Sequence, residues 1–161
     1  MLFLDDVFLA RIMLFSSRYM ILWSSAINEK YREHLERQRR RYSRPRDVWS
    51  KVERHAFGRD VGLNGYTSPS EAKDLVEFVG VPGPVLDLGS GGGWPGKEIL
   101  IKSEQRLVVA MDIVLDGLQE SQRGMADTGD EERFRCVVGD GQSLPFVAES
   151  FGLVLHADAL C

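Results

Sequence analysis

Three acids occupy positions where side chains could do chemistry. Asp87, Asp112 and Asp140 each close an apolar run of strand type, P-V-L-D, L-V-V-A-M-D and C-V-V-G-D. After Asp87 comes L-G-S-G-G-G-W-P-G-K, a stretch with few side chains. Gly89, Gly91 and Gly93, with Ser90 among them, form a turn whose backbone a ligand can approach closely. Trp94 precedes a proline and is biased towards an extended conformation. Pro95 suits the first turn of a helix, where a missing N–H costs nothing, and Gly96 lets that helix pack tightly on the strand. Free N–H groups at such a helix start favour anionic ligand groups. Strand, glycine turn and helix predict a small-molecule cradle.

Two ligand classes use such a cradle. Gly91, Gly93 and Gly96 satisfy G-x-G-x-x-G, the dinucleotide signature. Asp87, Gly89, Gly91 and Gly93 satisfy a competing pattern, acid-x-G-x-G-x-G. Asp87 decides between them. A carboxylate there would repel the pyrophosphate of NAD, whereas beside an ammonium it is favourable, directly or through water. The second pattern resembles motif I of the class I S-adenosylmethionine-dependent methyltransferases. In that resemblance Asp112 accepts hydrogen bonds from both ribose hydroxyls, a task two carboxylate oxygens suit. Asp140 accepts from the adenine amino group, the Gly141 N–H faces a ring nitrogen, and Ile113 and Leu144 flank the adenine. NAD-binding proteins share an acid at the position of Asp112, so Asp140 is the discriminating one. For Asp112 and Asp140 the ordinary alternative is turn formation or capping.

The run G-D-G-Q-S-L-P-F-V-A-E-S-F-G-L-V-L-H-A-D-A-L is similar to the same family's segment through its fourth strand, with Glu149 and Gly152 departing from the usual acids. G-Y-T-S-P resembles the segment before the first strand, which implies that Tyr66 and Thr67 reach the methionine carboxylate; the alternative is a helix-starting turn. The reaction implied is methyl transfer from a sulfonium by in-line displacement, in which positioning does most of the work. A base is required only if the acceptor arrives protonated. His156 and Asp158 follow the fourth strand, where the family places residues beside the methyl group. His156 is a candidate base, histidine being the usual side chain for that task, although lining the cofactor pocket is its more ordinary role. No residue is assigned as catalytic.

The elements that must position these groups follow from the pattern. A helix is expected over 70–79, capped by Ser68 or Ser70. Strands are expected over 85–87, 106–112, 134–138 and 151–156, with a helix over 115–126. Such alternation predicts an α/β fold, a Rossmann-like parallel sheet with flanking helices. The resemblance covers residues 65–161, about the first half of the family's domain, and implies a C-terminally incomplete sheet whose fourth strand is an open edge. Residues 1–64 are read as an N-terminal helical extension or lid. Within it, 26–41 and 47–57 are helical, the second with Val48, Val52 and Ala56 on one face. The apolar residues 1–27 are expected to form a helix packed on the domain. Asp5 and Asp6 oppose a signal peptide, and Arg11 and Arg18 interrupt a membrane span. The cluster Arg37, Arg39, Arg40, Arg41, Arg44 and Arg46 is read as a solvated helical face, with an RNA-facing patch as the alternative.

At 161 residues the chain makes one domain with a sizeable core. Its net charge of −4 argues against a protein that coats nucleic acid. Two cysteines, Cys136 and Cys161, are too few and too unpatterned for a disulfide framework or a zinc site, and fit a reducing, cytoplasmic setting. The expectation is an S-adenosylmethionine-dependent methyltransferase with a small-molecule acceptor and no metal. The alternative is a non-catalytic S-adenosylmethionine-binding or interaction module.

Overall fold

The computed structural model describes residues 11–15, 19–23, 29–42, 45–63, 65–78, 82–102, 106–126 and 128–158. In chain order these form β1 (Arg11–Phe15), β2 (Tyr19–Trp23), α1 (Glu29–Tyr42), α2 (Arg46–Phe57), α3 (Pro69–Phe78), β3 (Val85–Leu88), α4 (Gly96–Lys102), β4 (Val108–Asp112), α5 (Leu115–Ala126), β5 (Phe134–Val138) and β6 (Leu153–Leu155). The six strands make one sheet in the order β1-β2-β5-β4-β3-β6. Strands β2 to β6 are parallel to their neighbours, and β1 is antiparallel to β2. The α/β, Rossmann-like parallel sheet with flanking helices is what the alternating pattern predicts.

Parity along the strands builds two faces. Val85, Val108, Ala110, Phe134 and Cys136 share one core cluster with Ile99 and Leu100 of α4 and Leu118 and Met125 of α5. Leu86, Met111 and Val137 occupy the opposite face, under Phe146 and Phe151 from the loop before β6. Those two rings meet edge to face at 4.8 Å. Asp87 shares the parity of Val85, so it lies on the helix-covered face and is fully buried. The strand order reverses at β3, between β4 and β6. Ligands sit at the carboxyl ends of strands at such a point.

The start of α3 carries a reciprocal cap. The Ser68 N–H and hydroxyl donate to Glu71 Oε2, each at 2.7 Å, and the Glu71 N–H donates back to Ser68 Oγ at 3.3 Å. This capping holds Glu71 below the usual carboxylate range.

One expectation about the N-terminal part is corrected. Residues 11–15 and 19–23, expected within a helix, form a hairpin, and its second strand extends the sheet beyond β5. R-I-M-L-F and Y-M-I-L-W are rich in residues that suit a strand, and β5 offers an unpaired edge that a helix would leave unsatisfied. The rest of 1–27 and the position of Cys161 lie outside the described residues. The apolar face of α2 is not the one that docks. Val48 is 61% exposed, and Trp49, Val52 and Ala56 are exposed as well, while the buried residues are Ser50 and Glu53. This helix docks through its polar side.

The docking is ionic. Glu53, 4% exposed, accepts from the Val61 and Gly62 N–H groups at 2.8 Å each. Arg46 reaches Glu53 at 3.3 Å, Asp60 at 2.5 Å and Glu120 of α5 at 2.7 Å. Burial lowers the pKa of Arg46, but these three carboxylates outweigh it and hold the guanidinium above its ordinary value. Arg59 pairs with the buried Glu98 of α4 at 2.7 Å, and Arg39 of α1 with Asp116 of α5 at 3.0 Å. Removing one partner from a buried set leaves the others uncompensated, which costs roughly 3–5 kcal/mol. Glu53→Ala is therefore expected to lower stability to about that extent, whereas Val52→Ala, on the exposed side, should fall within about 0.5 kcal/mol of wild type. Urea unfolding of both variants checks the contrast, and equal effects would mean the polar side does not carry the docking.

Candidate cofactor site

The glycine turn is latched to the neighbouring strand. The Gly89 and Ser90 N–H groups donate to the Met111 carbonyl at 2.8 and 3.1 Å, and the Gly93 N–H donates to the Ser90 carbonyl at 2.7 Å. Gly93 lies at φ +89°, and a side chain there would meet Ser121 Oγ and Lys97 Cε at 2.3 and 2.4 Å. Only glycine serves at that position. The Gly91 N–H donates to Asp112 Oδ2 at 2.8 Å, and the Val114 N–H to Asp112 Oδ1 at 2.8 Å. Burial raises the Asp112 pKa against hydrogen bonds from Val114, Gly91 and Ile113. A carboxylate offers about four acceptor positions, so these donors do not exhaust it.

Asp87 lies beneath the same turn. A methyl group on Gly96 would come within 2.2 Å of Asp87 Oδ2, so α4 begins with a glycine because the carboxylate occupies the space beside it. Burial drives the Asp87 pKa up to about 7, with Ser90 opposing, Asp112 reinforcing and the Gly96 N–H opposing. Neither Asp87 Oδ2 nor Ser90 Oγ has a hydrogen bond of normal geometry within the protein. Asp140 follows β5, where its Oδ1 accepts from the Gln142 N–H at 2.9 Å in an Asx-type turn. Gly141 is open on the side facing Leu88, whose Cδ1 would stand 3.5 Å from an added methyl. Asp87, Asp112 and Asp140 thus close three adjacent strands of the sheet, β3, β4 and β5. Ile113 is half-buried beside Asp112, whereas Leu144 is exposed.

Tyr66 and Thr67 meet a partner that the spacing alone did not assign to them. Their N–H groups donate to Asp158 Oδ2 at 2.9 and 3.0 Å, and the Thr67 hydroxyl donates to the same oxygen at 2.8 Å. Burial would raise Asp158, but these donors and the nearby His156 bring it below the usual range. The Thr67 carbonyl accepts from the Trp94 indole N–H at 2.8 Å, which joins the 65–68 segment to the glycine turn. The Tyr66 side chain is 87% exposed. With Glu71, Asp74, Leu75 and Asp158, Tyr66 and Thr67 line an open pocket of about 380 Å³. His156 is half-buried after β6.

One further group escaped the sequence reading. Lys97 runs under the turn beside Gly93 and Ser121, and burial lowers its pKa to about 8 against the opposing charge of Glu120. The Cys136 thiol on the sheet is pushed up to about 12 by burial, Lys97 opposing, as an inert core thiol would be. A lysine in the first turn of a helix, directly after the glycine turn, was the one available signal for Lys97.

Residues 86–161 match the family described as a methyltransferase domain. The matched residues run from β3 past β6 and include Asp87, Asp112 and Asp140. Among solved structures, a geranyl diphosphate C-methyltransferase from Streptomyces coelicolor, in complex with Mg²⁺, geranyl-S-thiolodiphosphate and S-adenosyl-L-homocysteine, superposes with a TM-score of 0.58 at 13% identity, covering 76% of this chain and 54% of that one. A methyltransferase from Geobacter sulfurreducens in complex with S-adenosyl-L-homocysteine gives 0.51 at 19% identity, covering 72% and 44%. At these identities the likeness is one of fold. The chain spans about half the length of these structures. No curated protein matches it. Among the described residues, no helix is long and apolar enough to cross a membrane.

The raised Asp87 pKa has a stability consequence of definite sign. Between the ordinary value of 3.8 and about 7 the unfolded chain has released this proton while the folded chain retains it. Stability therefore falls as pH rises through that window, by on the order of 4 kcal/mol in total. Asp87→Asn removes the titration and should gain on wild type from pH 4 to pH 8 in urea unfolding. Parallel pH profiles would refute the assignment.

Proposed function

We propose that this chain binds S-adenosylmethionine in the cradle after β3 and acts as a methyltransferase on a small-molecule acceptor, in the cytoplasm. The observation that carries this reading is the convergence of Asp87, Asp112 and Asp140 on the carboxyl ends of three adjacent strands, with Asp112 hydrogen-bonded to Gly91 of the glycine turn. The residues present fit the cofactor. Asp87 Oδ2 and Ser90 Oγ lack normal protein partners beneath the turn, and Asp112 retains acceptor capacity beside it.

Asp112 would hold the ribose hydroxyls. Asp140 and Gly141 would hold the adenine edge, between the apolar side chains of Ile113 and Leu144. Gly89, Ser90, Gly91 and Gly93 supply the surface of closest approach, and the buried Asp87 favours positive charge above it. Tyr66, Thr67 and His156 border the methionine end. When bound, the cofactor supplies a methyl group activated by a sulfonium. The chain's own contribution is orientation and exclusion of water, since alignment of the acceptor with the transferred group accounts for most of such a rate.

The acceptor class is supported by the pocket lined by Tyr66, Thr67, Leu75 and Asp158, whose volume of about 380 Å³ suits a small molecule. Residues 1–64 are proposed to act as a lid on the core formed by 65–161, held by the ion pairs of Arg39, Arg46 and Arg59.

Calorimetric titration with S-adenosylhomocysteine and with NAD tests the reading. At pH 8, where Asp87 is ionised, the first should bind and the second should not, because the Asp87 charge opposes a pyrophosphate. Asp112→Ala is expected to weaken binding by roughly tenfold or more, the loss of hydrogen bonds to a charged acceptor being about 1.5–3 kcal/mol. Preference for NAD, or an unchanged affinity in Asp112→Ala, would sink it.

A further inference from the structure

Gly117 sits within the first turns of α5, where glycine is disfavoured relative to alanine. Its surroundings account for it. A methyl group there would stand 3.0 Å from Tyr42 Cζ and 3.1 Å from both the carbonyl carbon and the oxygen of Gly91. The end of α1, the start of α5 and the glycine turn therefore meet at one point. From the other side, the Gly91 N–H is held by Asp112. Gly91 is thus fixed at its amide by Asp112, and its carbonyl and the Tyr42 ring both border the space beside Gly117.

Tyr42 is kept there by two ion pairs that flank it in sequence. Arg39 bonds Asp116 at 3.0 Å and Arg46 bonds Glu120 at 2.7 Å, so both land on α5 on either side of Gly117. Asp116 and Glu120 are four residues apart and share a helical face. The Arg39 side chain is 70% exposed and the Arg46 side chain 28%, so the inner clamp is the stronger. Tyr42, half-buried, lies between Arg39 and Arg46 in sequence.

We propose that Tyr42, contributed by the helical extension, is a positioning residue for the cofactor. It holds the Gly91 carbonyl in place and thereby preserves the pairing of the Gly91 amide with Asp112 that frames the ribose side of the cradle. This rests on the cofactor reading above. It adds that the extension is part of the binding site.

The test is S-adenosylhomocysteine affinity by calorimetry on the full chain, with folding checked independently by urea unfolding. Tyr42→Ala should weaken binding by about tenfold, and Tyr42→Phe, which keeps the ring, should restore most of it. Gly117→Ala provides a second route that leaves Tyr42 intact. Alanine favours the helix, yet its methyl presses on the Gly91 backbone, so this variant should bind more weakly without a matching loss of stability. Wild-type affinity in folded Tyr42→Ala, or in Gly117→Ala, would overturn the assignment while leaving the cofactor reading standing. Absence of binding by the wild type would overturn both.

Discussion

The hydrogen bonds that Asp112 accepts from Gly91 and Val114 are the constraint on which the site depends. They join the turn after β3 to the start of the helix after β4, across the point where the strand order reverses. A parallel sheet delivers strand ends to one rim, but it does not specify how the loops on that rim lie against one another. A single carboxylate, bonded to two loops at 2.8 Å each, does so here. The bonds from the Gly89 and Ser90 amides to the Met111 carbonyl add a second latch a few residues away. The surface presented to a ligand is mostly backbone, held rigid by groups already desolvated.

The same economy explains the glycines. Gly93 yields to Lys97 and Ser121, and Gly96 to the carboxylate of Asp87. Burying Asp87 without a strong partner is unfavourable to the fold at neutral pH, as its pKa of about 7 expresses. Destabilised ionisable groups of this kind concentrate where proteins bind and act. Here the desolvated carboxylate lies beneath the turn that the cofactor is proposed to occupy, so a positive group arriving above it offsets part of that cost.

Attachment of the helical extension follows a different physics from that of the core. Helices α4 and α5 bury apolar faces against the sheet, whereas α2 turns Ser50 and Glu53 inward and leaves Val48, Trp49 and Val52 exposed. Its hold on the domain comes from Arg46 and its three carboxylates and from Arg59 with Glu98. Such contacts require specific geometry, and they set the orientation of the extension more sharply than a greasy face would. That orientation is what brings the end of α1 to Gly117 and the glycine turn.

Much of this was legible in the sequence because it is local. The order of strands and helices from residue 69 onward, the glycine turn, the helix cap at Ser68, and the three strand-end acids all follow from short-range pattern, since period, turn chemistry and parity act over a few residues. Tertiary structure alone decided which face of α2 is buried, that residues 11–15 and 19–23 pair as two strands of which the second joins β5, that Asp158 receives Tyr66 and Thr67, and that Tyr42 reaches Gly117. Each of these joins residues distant in sequence, or depends on an unpaired edge or a buried charge that only the assembled sheet creates. An apolar repeat at helical spacing could not outweigh the three carboxylates waiting for Arg46.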